Sequence, residues 1–411
     1  MTPVAVDRQT LERAKLATFA FFGLAGVAFA SWASRIADAK NELGLGAGEL
    51  GATLFAMSVG SVLALPLTGR VVERFGVVRT IRAGMIAAAL GAVVVGLGVD
   101  TFASRPVVMG GLFLLGVGVG GWDVAMNLEA TDVERHLGRA IMPHFHAAFS
   151  GGTVLTALLG AGLSWANVPI LAHLSVVAVL VTVAGLWALR SCLPHEATAA
   201  GATAAHKATT GEKSASAWRE PRTLLIGLVV LVAAFTEGTA NDWLAVAFHE
   251  GHQLPTWAGV LAFATFLTCM TVGRIVGTSL LDKHGRVPVL RVCFTLAIIG
   301  SAMVIFGNAW LAFVGAAIWG VGASLGFPVG MSAAADDQAR AAARMSVIAT
   351  IGYAAFLAGP PLLGFLGDHW GVLKSLTVVG AGAILALLIV PVTREPQRAV
   401  DHAAEPAQPV G

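Results

Sequence analysis

From Leu16 to Val392 the chain is a succession of apolar stretches about 20 residues long, separated by short charged or Gly/Pro-rich punctuation. A helix rises about 1.5 Å per residue, so each stretch has the length needed to cross a hydrocarbon core of about 30 Å. In lipid a backbone satisfies its own polar groups only as a helix or a closed barrel, and stretches of this length select the helix. Composition agrees: 12% of the residues are charged, against about 25% in a soluble domain, and the mean hydropathy is +0.78. An all-α integral membrane protein is the predicted fold class.

Twelve transmembrane helices are predicted, near 16–36, 50–68, 80–99, 106–128, 142–164, 169–190, 223–249, 256–281, 289–306, 310–333, 345–366 and 372–392. An even number places both termini on one side. If that side is the cytoplasm, it carries 21 of the 26 Lys and Arg residues; Arg35, Lys40, Arg105 and Lys374 lie opposite, and Arg274 lies inside a helix. This positive-inside bias predicts cytoplasmic termini. The polar first 15 residues read as a cytoplasmic segment and the apolar run behind them as a retained helix rather than a cleaved signal peptide. Residues 16–190 and 223–392 form two six-helix units. The stretch 191–222, rich in Ala, Thr, Gly and charge, reads as a flexible cytoplasmic linker, and 393–411 as a cytoplasmic tail.

The Lys and Arg residues are dispersed among short loops and form no basic face, which excludes nucleic acid as a partner. Cys192, Cys269 and Cys293 lie in or beside spans and suggest neither a disulfide framework nor a metal knuckle. No cofactor is called for, and the chain reads as a monomer.

The two units repeat each other. Glu73-Arg74-Phe75-Gly76 after the second span corresponds to Asp282-Lys283-His284-Gly285 after the eighth, with Arg82 and Arg291 at the same offset. Gly116-Val117-Gly118 in the fourth span corresponds to Gly320-Val321-Gly322 in the tenth. Duplicated units of this kind are common in transporters.

The stretch from Gly69 through Glu73, Arg74 and Gly76 to Arg79 resembles the major facilitator signature between the second and third helices, with Glu where Asp is usual and valines after Gly76. The second copy keeps the acid, base, glycine and arginine as Asp282, Lys283, Gly285 and Arg286, with the leading glycine moved to Gly277. The resemblance spans the chain and implies two pseudo-symmetric six-helix bundles, with these residues gating as a latch of the outward-facing state. The bland alternative is a turn with positive-inside charge. Gly120-Gly121-Trp122-Asp123, followed by Asn127, is similar to the fucose-permease and rhizopine-permease branch, where an acid at this place couples to protons.

An ionisable group at the bilayer centre costs roughly 2.5–3.5 kcal/mol or more. Four stand out: Asp123, Glu237, Asp242 and Arg274. The resemblance implies that Asp123 carries the proton; pairing with His144 or His146 is the structural alternative. Glu237 and Asn241 share a face of the seventh helix, which lines the central cavity in this superfamily. They are expected, with Asn127, to meet a polar solute, Glu237 serving otherwise as a second proton site or as bundle support. Trp32 and Arg35, near the outer end of the first helix, join the candidate solute contacts, with an interfacial arginine as the alternative for Arg35. Arg274 lies too deep to snorkel and needs a carboxylate, and it is assigned to Asp242 as a structural ion pair. Two His at i and i+2 do not share a helical face, so His144 and His146 make no metal site.

Gly116-x-Gly118-x-x-Gly121 satisfies a dinucleotide fingerprint and Gly322-x-Ser324-x-Gly326 a nucleophile elbow, but both lie inside apolar helices without the strand those motifs need. Small residues so spaced let membrane helices approach closely. There is no phosphate-binding G-x-x-x-x-G-K-[ST] and no catalytic constellation, so an enzyme is not expected. Pro328 and Gly359-Pro360-Pro361 predict helix kinks. The expected activity is secondary active transport of a small polar solute, sugar-like or organic, coupled to protons. The rivals are proton-driven efflux of amphiphiles, disfavoured because no proline follows Ser150-Gly151-Gly152-Thr153, and a non-transporting membrane sensor.

Overall fold

The computed structural model describes residues 7–139, 141–193, 217–337 and 340–395. Most of the expected linker and tail lies outside them. Among the described residues there is no strand, and twelve helices are long and apolar enough to cross a membrane. They are α1 (Arg8–Glu42), α2 (Ala47–Phe75), α3 (Val77–Asp100), α4 (Arg105–Leu137), α5 (Met142–Trp165), α6 (Ile170–Ser191), α7 (Pro221–Gly251), α8 (Thr256–His284), α9 (Arg286–Phe306), α10 (Ala309–Ala334), α11 (Ala341–Trp370) and α12 (Val372–Thr393). Several exceed the predicted spans, because hydropathy ends where charge begins while a helix continues into the polar zone. Thus α2 runs to Phe75, α4 to Leu137, and α1 resumes after Ser34 and Arg35 as Ile36–Glu42.

Helix packing carries the predicted duplication. The pairs α1·α5, α1·α6, α2·α4, α3·α4 and α3·α6 recur six helices later as α7·α11, α7·α12, α8·α10, α9·α10 and α9·α12. The repeated Gly-Val-Gly supports this identically in both halves. Gly116 abuts the Met57 carbonyl of α2 and Gly118 the Ala88 amide of α3; Gly320 abuts the Phe266 carbonyl of α8 and Gly322 the Ala297 amide of α9. Any side chain there meets backbone, so the glycines set the interhelical distance.

Turn chemistry repeats as well. Single glycines, Gly76 (φ 84°) and Gly285 (φ 78°), are the whole connection between α2 and α3 and between α8 and α9. A positive φ strains any residue with a Cβ, which explains the glycine in both signature copies. The halves meet along α2 against α11 and α5 against α8. The bundle end carrying Arg8 and Thr393 is called here the near end, and the opposite one the far end.

Candidate functional site

Glu237 on α7 lies fourteen residues from the far end of its helix, and Arg274 on α8 eighteen from the far end of its own. Four residues of offset is about 6 Å of height, within an arginine's reach. Arg274 Nη2 donates to Glu237 Oε2 at 2.9 Å, and the side chains remain 33% and 22% exposed. The predicted pairing of Arg274 with Asp242 is therefore corrected. Asp242 lies nine residues from the far end of α7, about 14 Å from the level of Arg274.

The Arg274 guanidinium is gripped from behind. Helix α10 is interrupted at Ser324 and Leu325, between Ala309–Ala323 and Gly326–Ala334. Pro328 has no N–H to give the carbonyl four residues earlier, that of Ser324. The freed Ser324 oxygen accepts instead from Arg274 Nε at 3.2 Å. The predicted Pro328 kink thus appears as a break one turn upstream.

In the other half Asp123 on α4 is half-buried, with Asn127 Nδ2 3.3 Å from its Oδ1 and 2.9 Å from its carbonyl oxygen. Asp123 makes no ion pair among the described residues, and neither expected histidine meets it. His146 packs edge-on against Phe22 and lies within the electrostatic reach of Arg274 on α8. Tyr353 on α11 lies similarly within reach of Asp123. Asn241 and Asp242 are half-buried one turn beyond Glu237. Asp123 and the Glu237–Arg274 pair therefore lie at mid-depth in opposite halves, Asp123 and Arg274 each within electrostatic reach of a side chain from the other half, and together are called here the mid-depth polar girdle.

Arg35 and Trp32 fall outside it. Each is 2% exposed. Arg35 Nε lies 3.0 Å from Asp38 Oδ2, and Nη2 donates to the Val168 carbonyl at 2.6 Å. These bonds tie the break in α1 to the loop after α5, so the solute-contact assignment of Arg35 gives way to a structural one. Trp32 is packed into the apolar core, which likewise removes it from the solute contacts.

The far end is closed. Lys40 Nζ pairs with Glu250, Asn41 Nδ2 donates to His249 Nε2 at 2.8 Å, the Gly48 amide donates to Asp368 Oδ1 at 2.9 Å, and Ser164 and Thr256 hydroxyls meet at 3.2 Å. Gly51 abuts the Pro360 carbonyl, and a Cβ on Gly364 would stand 2.8 Å from the Ala47 carbonyl. Among the described residues, all hydrogen bonds and ion pairs joining helices of opposite halves lie here. Sequence reasoning missed this cluster because its members are ordinary loop-flanking polar residues.

At the near end the signature residues Glu73 and Arg74 are exposed, and Arg74 stacks only on neighbouring Phe75. Asp282 and Lys283 are exposed too. Arg286 is held within its own half, 2.7 Å from Asp336, which also takes Arg222 at 2.7 Å. Glu220 receives Arg344 at 2.7 Å and pairs with Arg340. Partial burial raises the Glu220 carboxyl, but hydrogen bonds from Thr223 and Arg344 outweigh it and hold the group below the usual carboxylate range. Glu129, fully buried in α4, accepts from the Leu193 amide at 2.8 Å.

Comparison with known proteins places this geometry in a family. The sequence profile of the Major Facilitator Superfamily matches residues 15–268 and 243–410. An uncharacterized transporter, y4wD of Sinorhizobium fredii, is 30% identical over 91% of this chain and 96% of its own. The membrane protein MosC of Rhizobium meliloti is 25% identical over 90% and 87%. Among solved structures, a bacterial homologue of the human lysosomal transporter Spinster, inward-facing and unoccupied, superposes with a TM-score of 0.75 at 14% identity, covering 96% of this chain and all of that one. The Escherichia coli fucose:proton symporter gives 0.62 at 14% identity over 95% and 100%. Twelve helices in two repeated bundles, a signature turn in each half and a match along nearly the whole sequence lead to one conclusion: the chain belongs to the Major Facilitator Superfamily of membrane transporters.

Proposed function

We propose that this transporter is a proton-coupled permease for a small polar solute, working by alternating access in the plasma membrane with both termini in the cytoplasm. The observation that supports the reading is the mid-depth girdle: Asp123, which makes no ion pair among the described residues, and a partly exposed Glu237–Arg274 pair lie at similar depth in opposite halves, which among the described residues are bonded to each other at the far end. On this reading the near end is cytoplasmic and the structure is the inward-open state. The 21 Lys and Arg residues assigned to that side support the orientation.

Asp123 takes the proton and Glu237, Asn241 and Asn127 meet the solute. A buried acid without a base is costly when ionised, which suits a group that gains and loses a proton in each cycle. One structural relative is a fucose:proton symporter, which is consistent with this chemistry.

The test is purified full-length protein in liposomes loaded with a pH-sensitive dye. A gradient of the right polyol, sugar or organic acid is expected to drive proton movement, and Asp123→Asn to lower the number of protons moved per solute while solute exchange at equal concentrations survives. Movement driven only by lipophilic cations would replace the reading with amphiphile efflux, and silence to every solute would favour a sensor.

A further inference from the structure

We infer that Arg274 is the anchor for a carboxylate borne by the transported solute, and that Glu237 is the resident counter-ion which that carboxylate replaces. The inference rests on the permease reading above and names its solute class.

The girdle and its rim hold three carboxyls, Asp123, Glu237 and Asp242, and one guanidinium. A carboxyl loses its charge by taking a proton; a guanidinium in a protein does not. Arg274 is thus the permanent charge at mid-depth, and any state in which Glu237 is neutral leaves it in need of an anion.

Geometry agrees. A guanidinium meets a carboxylate best through two parallel N–H bonds, yet Glu237 takes one, from Nη2. Nε is committed to the Ser324 carbonyl freed by Pro328. Among the described residues Nη1 makes no hydrogen bond, and it keeps accessible surface on a side chain one-third exposed. The edge formed by Nη1 and Nη2 therefore has a donor to spare, while Nε is held by Ser324.

The exchange balances. Glu237 takes one proton from water and releases Nη2; the solute carboxylate binds the Nη1/Nη2 edge. One proton and one anion have entered, and the site is neutral before and after. Few other titratable groups lie near it. His146 on α5 is within electrostatic reach of Arg274, Asp242 shares α7 with Glu237 but lies about 14 Å from the level of Arg274, Asp123 on α4 and Tyr353 on α11 lie within reach of each other, and α10 has none between Ala309 and Ala334. A neutral sugar has no need of Arg274, and an amine would meet repulsion from it.

The experiment is thermal unfolding of full-length protein in detergent at constant ionic strength, titrated with sodium acetate, sodium D-gluconate, sodium chloride and sorbitol. In Glu237→Gln the counter-ion is gone, so both carboxylates are expected to stabilise saturably at pH 5.5 and pH 8 while chloride and sorbitol do not. The double variant Arg274→Gln/Glu237→Gln, neutral at the pair, is expected to weaken that response roughly tenfold or more. In the wild type, which needs no variant to fold, apparent carboxylate affinity is expected to fall as pH rises, approaching about tenfold per pH unit, as uptake of one proton with one anion requires. Carboxylate stabilisation equal to that of chloride, or unchanged in the double variant, overturns the anchor. Proton movement driven in liposomes by sorbitol but not by gluconate overturns it while leaving a permease. Arg274-dependent stabilisation without solute-driven proton movement does the reverse.

Discussion

At the residue scale, the pairing of charges followed from depth rather than identity. The sequence names Glu237, Asp242 and Arg274 but does not say which carboxylate the arginine meets, because that depends on helix height and rotation. Height was in fact countable: the turn between Gly251 and Thr256 is a common origin for α7 and α8, and from it Glu237 lies nearer the level of Arg274 than Asp242 does. Rotation is not countable in this way, and the burial of Arg35 by Asp38 and Val168 depends on it. Arg274→Ala would leave Glu237 half-buried without its partner and is expected to cost about 2 kcal/mol, most of it recovered in Arg274→Ala/Glu237→Ala, as read from melting temperatures of the four proteins in a double-mutant cycle. Glu220 carries a pH dependence with a defined sign. Its carboxyl is held below the ordinary glutamate value of 4.5 in the folded state, so its clamp on Arg340 and Arg344 contributes fully above that pH and is lost as acidification protonates it. Glu220→Gln is therefore expected to lower the melting temperature at pH 7 and to make no difference once the pH is well below 4; a constant deficit at every pH would contradict the assignment.

At the element scale, two helices carry the consequences of proline and glycine. Pro328 splits α10 and hands the Ser324 carbonyl to Arg274. Pro328→Ala supplies an N–H that competes for that oxygen, so the protein is expected to gain helix stability while solute affinity falls, by about threefold to tenfold if a hydrogen bond of roughly 1 kcal/mol is lost; equilibrium binding checks it. Legibility was uneven here. The proline was plain in the sequence and predicted a kink, but the recipient of the orphaned carbonyl sits on another helix, fifty residues away. Gly51 and Gly364 hold α2 against α11 at the far end. Gly51→Leu pushes those helices apart and is expected to lengthen the distance between spin labels at Asn41 and Gln253. An unchanged distance would mean that the seam yields elsewhere.

For the whole molecule, helix number, repeat and turn glycines were readable because they are encoded locally, by hydropathy and by residues with positive φ. Which end of the bundle is closed was not readable. It depends on a handful of bonds between residues some 90 to 320 apart, such as Ser164 with Thr256, Lys40 with Glu250 and Gly48 with Asp368. Glu73 and Arg74 are exposed and make no ion pair among the described residues, which fits the proposed inward-open reading. If these side chains find partners only when the near end closes, Glu73→Gln is expected to shift the population toward the state seen here, reported by a shorter far-end label distance and slower net uptake but unaltered solute affinity within that state.

One-residue joints at Gly76, Gly285 and Gly371 connect α2 to α3, α8 to α9 and α11 to α12. A joint of one residue has no slack, so these helix pairs cannot slide past each other without breaking the turn. In the proposed alternating-access cycle each bundle would then move as a stiff plate, with the work of rocking concentrated at the seam; little energy would go into bending the bundles themselves, and the rate would be set by how quickly the far-end bonds let go.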